Sequence, residues 1–354
     1  MPASLHTVFL RIGVLALGVA ACACGKTLTQ EEPRELTLRA VASVSTKADP
    51  ELDGTSLGTD NTYVILASAT AAEEPEILRE QLFTYYSDAA KWQASTASGP
   101  GIGGTYTHDP KFWPFGDRKV DFLALALKPA AYEALNVIPR NLSFCQASEG
   151  GAAYGVSIAD WNTYDNQYDV MYAVSNGQTT SNNPGGTVPL YFRHTMAVVG
   201  FTAKSASDAG IFKVKGLTLK DLQYRGALEI DNTTTEVDVT WTIPPGTACQ
   251  EDKEVPLTMA EFSVPGSGAS GLAIKCTDHL LVIPQTSRSV ELTYHVKNSI
   301  PDLMCTLPLP RTVWKAGHRY IYDLIFTPTE IRVSDVMVTD WDGNPVDDTA
   351  VISN

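Results

Sequence analysis

The chain is short of everything that usually marks a catalytic or nucleic-acid-binding protein. Of its 354 residues only 26 are basic against 40 acidic, giving a formal charge of −14, and no basic run occurs. Phosphate neutralisation needs clustered Lys and Arg, so nucleic acid and other polyanionic partners are disfavoured. There are 6 His, at positions 6, 108, 194, 279, 295 and 318, and none forms HxxxH or HExxH. The 6 Cys contain no CxxC pair. Cys276 and His279 have the spacing of a ligand pair but find no second pair, so no metal site is expected. The glycine-rich run 99–104 lacks the Lys of a phosphate loop, and Gly266–Gly271 does not match GxSxG. Long amphipathic helices and repeats of 20–50 residues are missing too.

A core is well provided for. Apolar residues make up 44% of the chain and charged residues 19%, which excludes wholesale disorder. With 26 Gly and 21 Pro, turns are frequent, which suits many short strands. The length allows two ordinary domains or one large all-β body.

The first residues read as an export signal. Arg11 precedes an apolar stretch, Ile12 to Ala21, too short to span a bilayer, which needs roughly 20 residues. It ends in Val19-Ala20-Ala21-Cys22, small residues before a Cys, as in a bacterial lipobox. Cys22 is the expected acylated residue and Cys24 the alternative. Cys145, Cys249, Cys276 and Cys305 remain, and four Cys allow 3 connectivities. Residues 1–21 are thus a signal peptide, and the polar, Pro-containing residues 22–35 a tether.

Beyond it, Leu36, Leu38, Ala40 and Ala42 alternate as in a strand. Residues 62–67 form a second strand. Pro75 among acids, with Leu78, Leu82 and Phe83 on one face, predicts a helix over 73–83. Residues 94–110 read as loop. Val120 to Leu127 is apolar on both faces, which predicts a strand covered on both sides. The polar stretch 175–188 suggests a division between an N-terminal β-sandwich, 36–187, and a C-terminal one, 188–354. Short strands then follow as far as Trp341, with Leu190–Phe201 taken as one of them.

Few positions invite chemistry. His194 lies in a strand and is expected to be a satisfied core or interface residue. The loop Asp160–Asp169 has oxygens enough for calcium, but lacks the Gly and terminal Glu of an EF-hand. Trp92, Trp113 and Trp161 would stack on sugars if exposed, and would anchor loops if buried. Asp348-Thr349-Ala350 resembles a short O-glycosylation sequon.

Four segments, in order, resemble the fimbrillin family, the type V pilins of Bacteroidales. They are the lipobox with Leu36-Thr37-Leu38-Arg39-Ala40; Phe112-Trp113-Pro114 before Val120–Ala126; Val188-Pro189-Leu190-Tyr191-Phe192-Arg193-His194-Thr195-Met196-Ala197; and Trp314-Lys315-Ala316-Gly317-His318-Arg319-Tyr320 leading to Trp341. The resemblance implies an all-β chain of two transthyretin-like β-sandwich domains in tandem, without catalysis or cofactor. It implies a structural or adhesive subunit, carried as a lipoprotein to the cell outer membrane and the extracellular fimbrium. There an Arg-specific protease trims it, and it joins other fimbrial subunits, copies or paralogues, by donor-strand addition. The expected scissile bond is Arg39-Ala40, with Arg34-Glu35 as alternative, disfavoured by Pro33 and the flanking acids. The C-terminal stretch with Val346, Val351 and Ile352 is the candidate donor. A non-polymerising surface lipoprotein that binds glycan or protein is the alternative reading, and a secreted hydrolase a third.

Overall fold

The computed structural model describes residues 32–42, 57, 63–71, 74–98, 105–135, 141–146, 154–206, 210–232, 236–242, 255–257, 260–267, 272–273, 280–298 and 301–341. Cys22, Cys24, Cys249, Cys276, His279, the sequon at 348–350, and Val346, Val351 and Ile352 lie outside them. No helix among the described residues is long and apolar enough to cross a membrane.

Ten strands and one short helix come first. They are β1 (Thr37–Ala42), β2 (Val64–Ala71), β3 (Glu74–Tyr86), β4 (Lys91–Ser98), β5 (Thr105–His108), β6 (Val120–Leu127), α1 (Pro129–Leu135), β7 (Leu142–Gln146), β8 (Tyr154–Asn162), β9 (Val170–Gln178) and β10 (Thr187–His194). Eight of these strands form one sheet in the order β1-β10-β9-β6-β2-β3-β4-β5. β1 also pairs with β4, so seven strands close into a ring, with β5 outside it on β4. The ring interior alternates bulky Phe83, Trp92, Phe122 and Phe192 with small Ala67, Ala69, Ala94, Ala124, Ala126 and Ala173. A narrow ring has room for only a few large side chains, and alanines fill the rest.

The expectation for Val120–Leu127 holds. Val120, Phe122, Ala124 and Ala126 face the ring interior. Leu123, Leu125 and Leu127 face outward into a second core. That core is covered by α1 and by a four-stranded sheet β14-β13-β8-β7, in which β13 is Arg225–Asp231 and β14 is Asp238–Thr242. Residue 188, where the sequence suggests a division, falls inside β10, where Val188 pairs with Leu38 of β1 and both face the ring interior.

The other strands are β11 (Ala197–Ser205), β12 (Phe212–Lys220), β15 (Val255–Leu257), β16 (Phe262–Ser263), β17 (Leu272–Ala273), β18 (Leu280–Val282), β19 (Ser289–Val296), β20 (Leu303–Pro308), β21 (His318–Phe326) and β22 (Ile331–Asp340). They build two five-stranded sheets, β17-β11-β21-β22 with β18, and β15-β12-β19-β20 with β16. The sheets share a third core around Phe201, Phe212, Leu292, Trp314, Tyr322 and Phe326.

Three expectations are corrected. The predicted helix over 73–83 is β3. Its pairing with β2 slips twice, and Glu80 has φ 47°. Such bulges break the period of two, so Leu78 and Phe83 turn into the ring while Leu82 turns outward; from sequence this spacing imitates a helical face. Residues 94–110 are not all loop, since β4 and β5 run through them. Leu190–Phe201 is two strands, because Thr195 bends the chain and its N–H and hydroxyl both donate to the Val170 carbonyl, at 3.1 and 2.7 Å.

Candidate functional site: the seat of the first strand

β1 is the stave that closes the ring. On one side it runs parallel to β10, from Thr37 opposite Thr187 to Ala42 opposite Phe192. On the other it is antiparallel to β4 only at Thr37 and Leu38. Leu36, Leu38 and Ala40 are fully buried in the ring interior. Burying each leucine contributes roughly 1.5–3 kcal/mol. Thr37 turns the other way, its hydroxyl 2.8 Å from that of Thr187, and Arg39 is exposed.

The approach to β1 is held by the 111–113 and 179–186 segments. The Leu36 N–H donates to the Lys111 carbonyl at 2.7 Å, and the Trp113 N–H to the Arg34 carbonyl at 3.0 Å. The Thr37 N–H donates to the Gly186 carbonyl at 3.1 Å, which also accepts from Trp113 Nε1 at 3.0 Å. Arg34 is half-buried, and its Nη1 donates to the Thr180 carbonyl at 2.9 Å. Asp117 fixes this loop by accepting from the Ser181 N–H and the Thr180 hydroxyl. Hydrogen bonds from Ser181, hydroxyl first, hold the Asp117 carboxyl below its usual range, with Thr180 and Thr179 adding to the effect. Glu35 meets His108 Nε2 at 2.6 Å on the rim, an exposed pair that contributes at most about 1 kcal/mol.

Gly186 makes the close passage possible. Its φ is +76°, and a Cβ there would lie 2.3 Å from the Glu35 carbonyl oxygen. We therefore expect Gly186→Ala to destabilise the fold by at least about 1–2 kcal/mol, the cost of the left-handed backbone alone, with the clash adding to it. Urea denaturation checks this; an unchanged midpoint would show that the approach to β1 does not need the glycine.

The two candidate processing arginines differ in setting. Arg39 presents its side chain outward from the middle of β1, and Ala40 after it points into the ring. Arg34 precedes the strand and is tied to Thr180. The sequence pointed to Arg39 but gave no sign of β4, Gly186 or Thr180 as the seat. Gly186 read as part of a domain gap; a glycine two residues before an alternating apolar run was the available signal.

The other candidates resolve into structural roles. Trp92, Trp113 and Trp161 are 1%, 6% and 1% exposed, so they offer no platform for sugars. In the Asp160–Asp169 loop, Asp160 pairs with Arg225, Asn162 bonds Asp165, and Asp169 Oδ2 lies 2.5 Å from His194 Nδ1. These oxygens do not converge, and no metal-binding group occurs among the described residues. His194 also stacks on Trp341, with centroids 3.8 Å apart. Burial, and then the charge of Asp169, push the nearby Tyr63 phenol up to about 12. Among the described residues Cys305 is a free thiol, raised by burial and so poorly reactive.

Comparison with known proteins places this architecture. A family model described as fimbrillin-like matches residues 59–341, a span that begins after β1. No curated protein matches. A fimbrial protein from Bacteroides vulgatus superposes with a TM-score of 0.57 at 18% identity, covering 87% of this chain and 99% of its own. The tip fimbrial protein Mfa3 from Porphyromonas gingivalis, truncated at its C-terminus, gives 0.39 at 12% identity, covering 87% and 100%. With the model matching most of its length, the chain belongs to the fimbrillin-like family.

Proposed function

We propose that this chain is a structural or adhesive subunit of a surface fimbrium, without enzymatic activity. In this reading it is exported as a lipoprotein acylated at Cys22 or Cys24. It is trimmed by an Arg-specific protease, and then accepts a strand from a neighbouring subunit. The observation that carries it is the seat of β1: the first strand of the fold is one stave of a closed ring, and its removal would leave an apolar slot with unpaired backbone groups. Such a slot is unstable alone and is a template for β-addition.

The setting of the two arginines supports Arg39-Ala40 over Arg34-Glu35. A cut after Arg34 leaves Leu36 and Leu38 on the chain that seats them, so the slot stays filled. A cut after Arg39 separates both leucines from it. Because a protease binds its substrate as an extended strand, β1 must lift from β10 before the bond is reached. The C-terminal residues with Val346, Val351 and Ile352 complete the proposal as the strand this subunit donates. The three cores suit a reading as two β-layered halves in tandem, the transthyretin-like arrangement of the resemblance.

The test is assembly on cells. The Arg39→Ala chain is expected to reach the surface but stay out of SDS-resistant ladders, while Arg34→Ala assembles like the parent. Ladders of normal length from Arg39→Ala would overturn the trimming step.

A further inference from the structure

Resting on the reading that a trimmed β1 is replaced by another strand, we infer that the seat selects its occupant: it takes a strand that reads basic, any residue, large aliphatic, Ser or Thr, large aliphatic, and residues 342–354 of a second copy do not supply one.

The requirements are those met by residues 34–38. Two leucines, at 36 and 38, fill pockets with no exposure at all. The residue between them places a hydroxyl 2.8 Å from Thr187 Oγ1. Two residues before the first leucine, a guanidinium donates to the Thr180 carbonyl. The backbone is held from both sides, by the Lys111 carbonyl and Trp113 N–H on one and the Gly186 carbonyl on the other. The strand also passes so near Gly186 that it has little freedom to shift. The matching occupant reads basic, any residue, large aliphatic, Ser or Thr, large aliphatic.

Residues 342–354, Asp-Gly-Asn-Pro-Val-Asp-Asp-Thr-Ala-Val-Ile-Ser-Asn, contain three Asp and no Lys or Arg. Their only two aliphatic residues at alternate positions are Ala350 and Ile352. Laid parallel to β10 with Ile352 in the Leu38 pocket, Ala350 underfills the Leu36 pocket, and Asp348 faces the Thr180 carbonyl in place of Arg34. Laid antiparallel, Ala350 underfills the Leu38 pocket and Asp348 arrives at the position of Ala40, in the ring interior. Placing Val346 in either pocket brings Asp348 into the other, or turns it to one of the same two sites. An underfilled leucine pocket and an unpaired buried carboxylate are each strongly unfavourable. Val336 and Val338 also alternate, but they are paired to Tyr322 and Tyr320 of β21.

The test uses the full chain cut after Arg39 and freed of its N-terminal fragment. A fluorescent peptide of residues 32–39 is bound to it and followed by anisotropy. Unlabelled peptides compete: residues 32–39, the same peptide with Leu38→Ala, and residues 342–354. The parent peptide is expected to compete best, Leu38→Ala to lose at least about 30-fold, and 342–354 to be at least about 100-fold weaker. If 342–354 competes within threefold of the parent peptide, the selectivity is overturned while strand replacement stands. If the labelled parent peptide does not bind, strand replacement at this seat fails and the selectivity fails with it.

Discussion

Once its N-terminal fragment is removed, the chain cut after Arg39 should melt on the order of 10 °C below the intact protein and bind an apolar dye that the intact protein ignores. Leu36 and Leu38 leave fully buried positions, a loss of about 3–6 kcal/mol for the pair. The hydrogen bonds from Leu36 and Thr37 to the Lys111 and Gly186 carbonyls go with them. In a body of this size each kcal/mol shifts the melting point by about 2–4 °C. Newly wetted walls would include Trp92 and Val188, both buried in the ring. The control is a cut after Arg34. It gives up two hydrogen bonds, from Arg34 Nη1 and to its carbonyl, or about 2 kcal/mol, and keeps the ring shut, so dye binding should not rise. Calorimetry and dye fluorescence on the two products check this; equal behaviour would mean that β1 is not what closes the ring.

The second large effect is expected at Asp169. Its Oδ2 sits 2.5 Å from His194 Nδ1, and both side chains are about a tenth exposed. Removing Asp169 leaves a buried imidazole nitrogen without its hydrogen-bond partner, which typically costs about 1–3 kcal/mol. Asp169 Oδ1 has no hydrogen-bond partner among the described residues, so part of the desolvation cost is already present in the folded state. Asp169→Ala should therefore fall near the lower end of that range. The His194→Ala, Asp169→Ala double variant should lose less than the sum of the singles, because each single already breaks the pair. The same change loosens the support beneath Trp341, which stacks on His194 at the end of β22. Urea titration of the four proteins measures this. A loss below about 0.5 kcal/mol for Asp169→Ala would show the pair to be structurally idle.

The legible parts of the fold are those whose burial pattern is local. Val120–Leu127 announced its two covered faces because every residue but Asp121 is apolar. Leu36, Leu38 and Ala40 announced a strand by simple alternation. β3 hid because two slips in its pairing with β2 displaced Leu78, Leu82 and Phe83 from a period of two into one that imitates a helix. β4 and β5 hid for a different reason. β4 buries polar Ser95, whose hydroxyl lies 2.7 Å from that of Thr84 on the neighbouring β3, both nearly inaccessible. From composition, Ser and Thr among Ala and Gly read as loop. The seat was illegible as a site, although its central strand was not. Arg39 stood out from its place in that strand, but the walls come from β4 and β10, and no local pattern encodes a partner so far along the chain.

That separation has a consequence for the order in which the molecule is built. Thr37 and Thr187, whose hydroxyls meet, are 150 positions apart. Contacts between distant positions form slowly, because a long intervening chain must be organised first. As synthesis proceeds from the amino end, the earliest strand has no berth until β10 has emerged. That strand therefore waits until some 150 further residues have been made before its seat is complete.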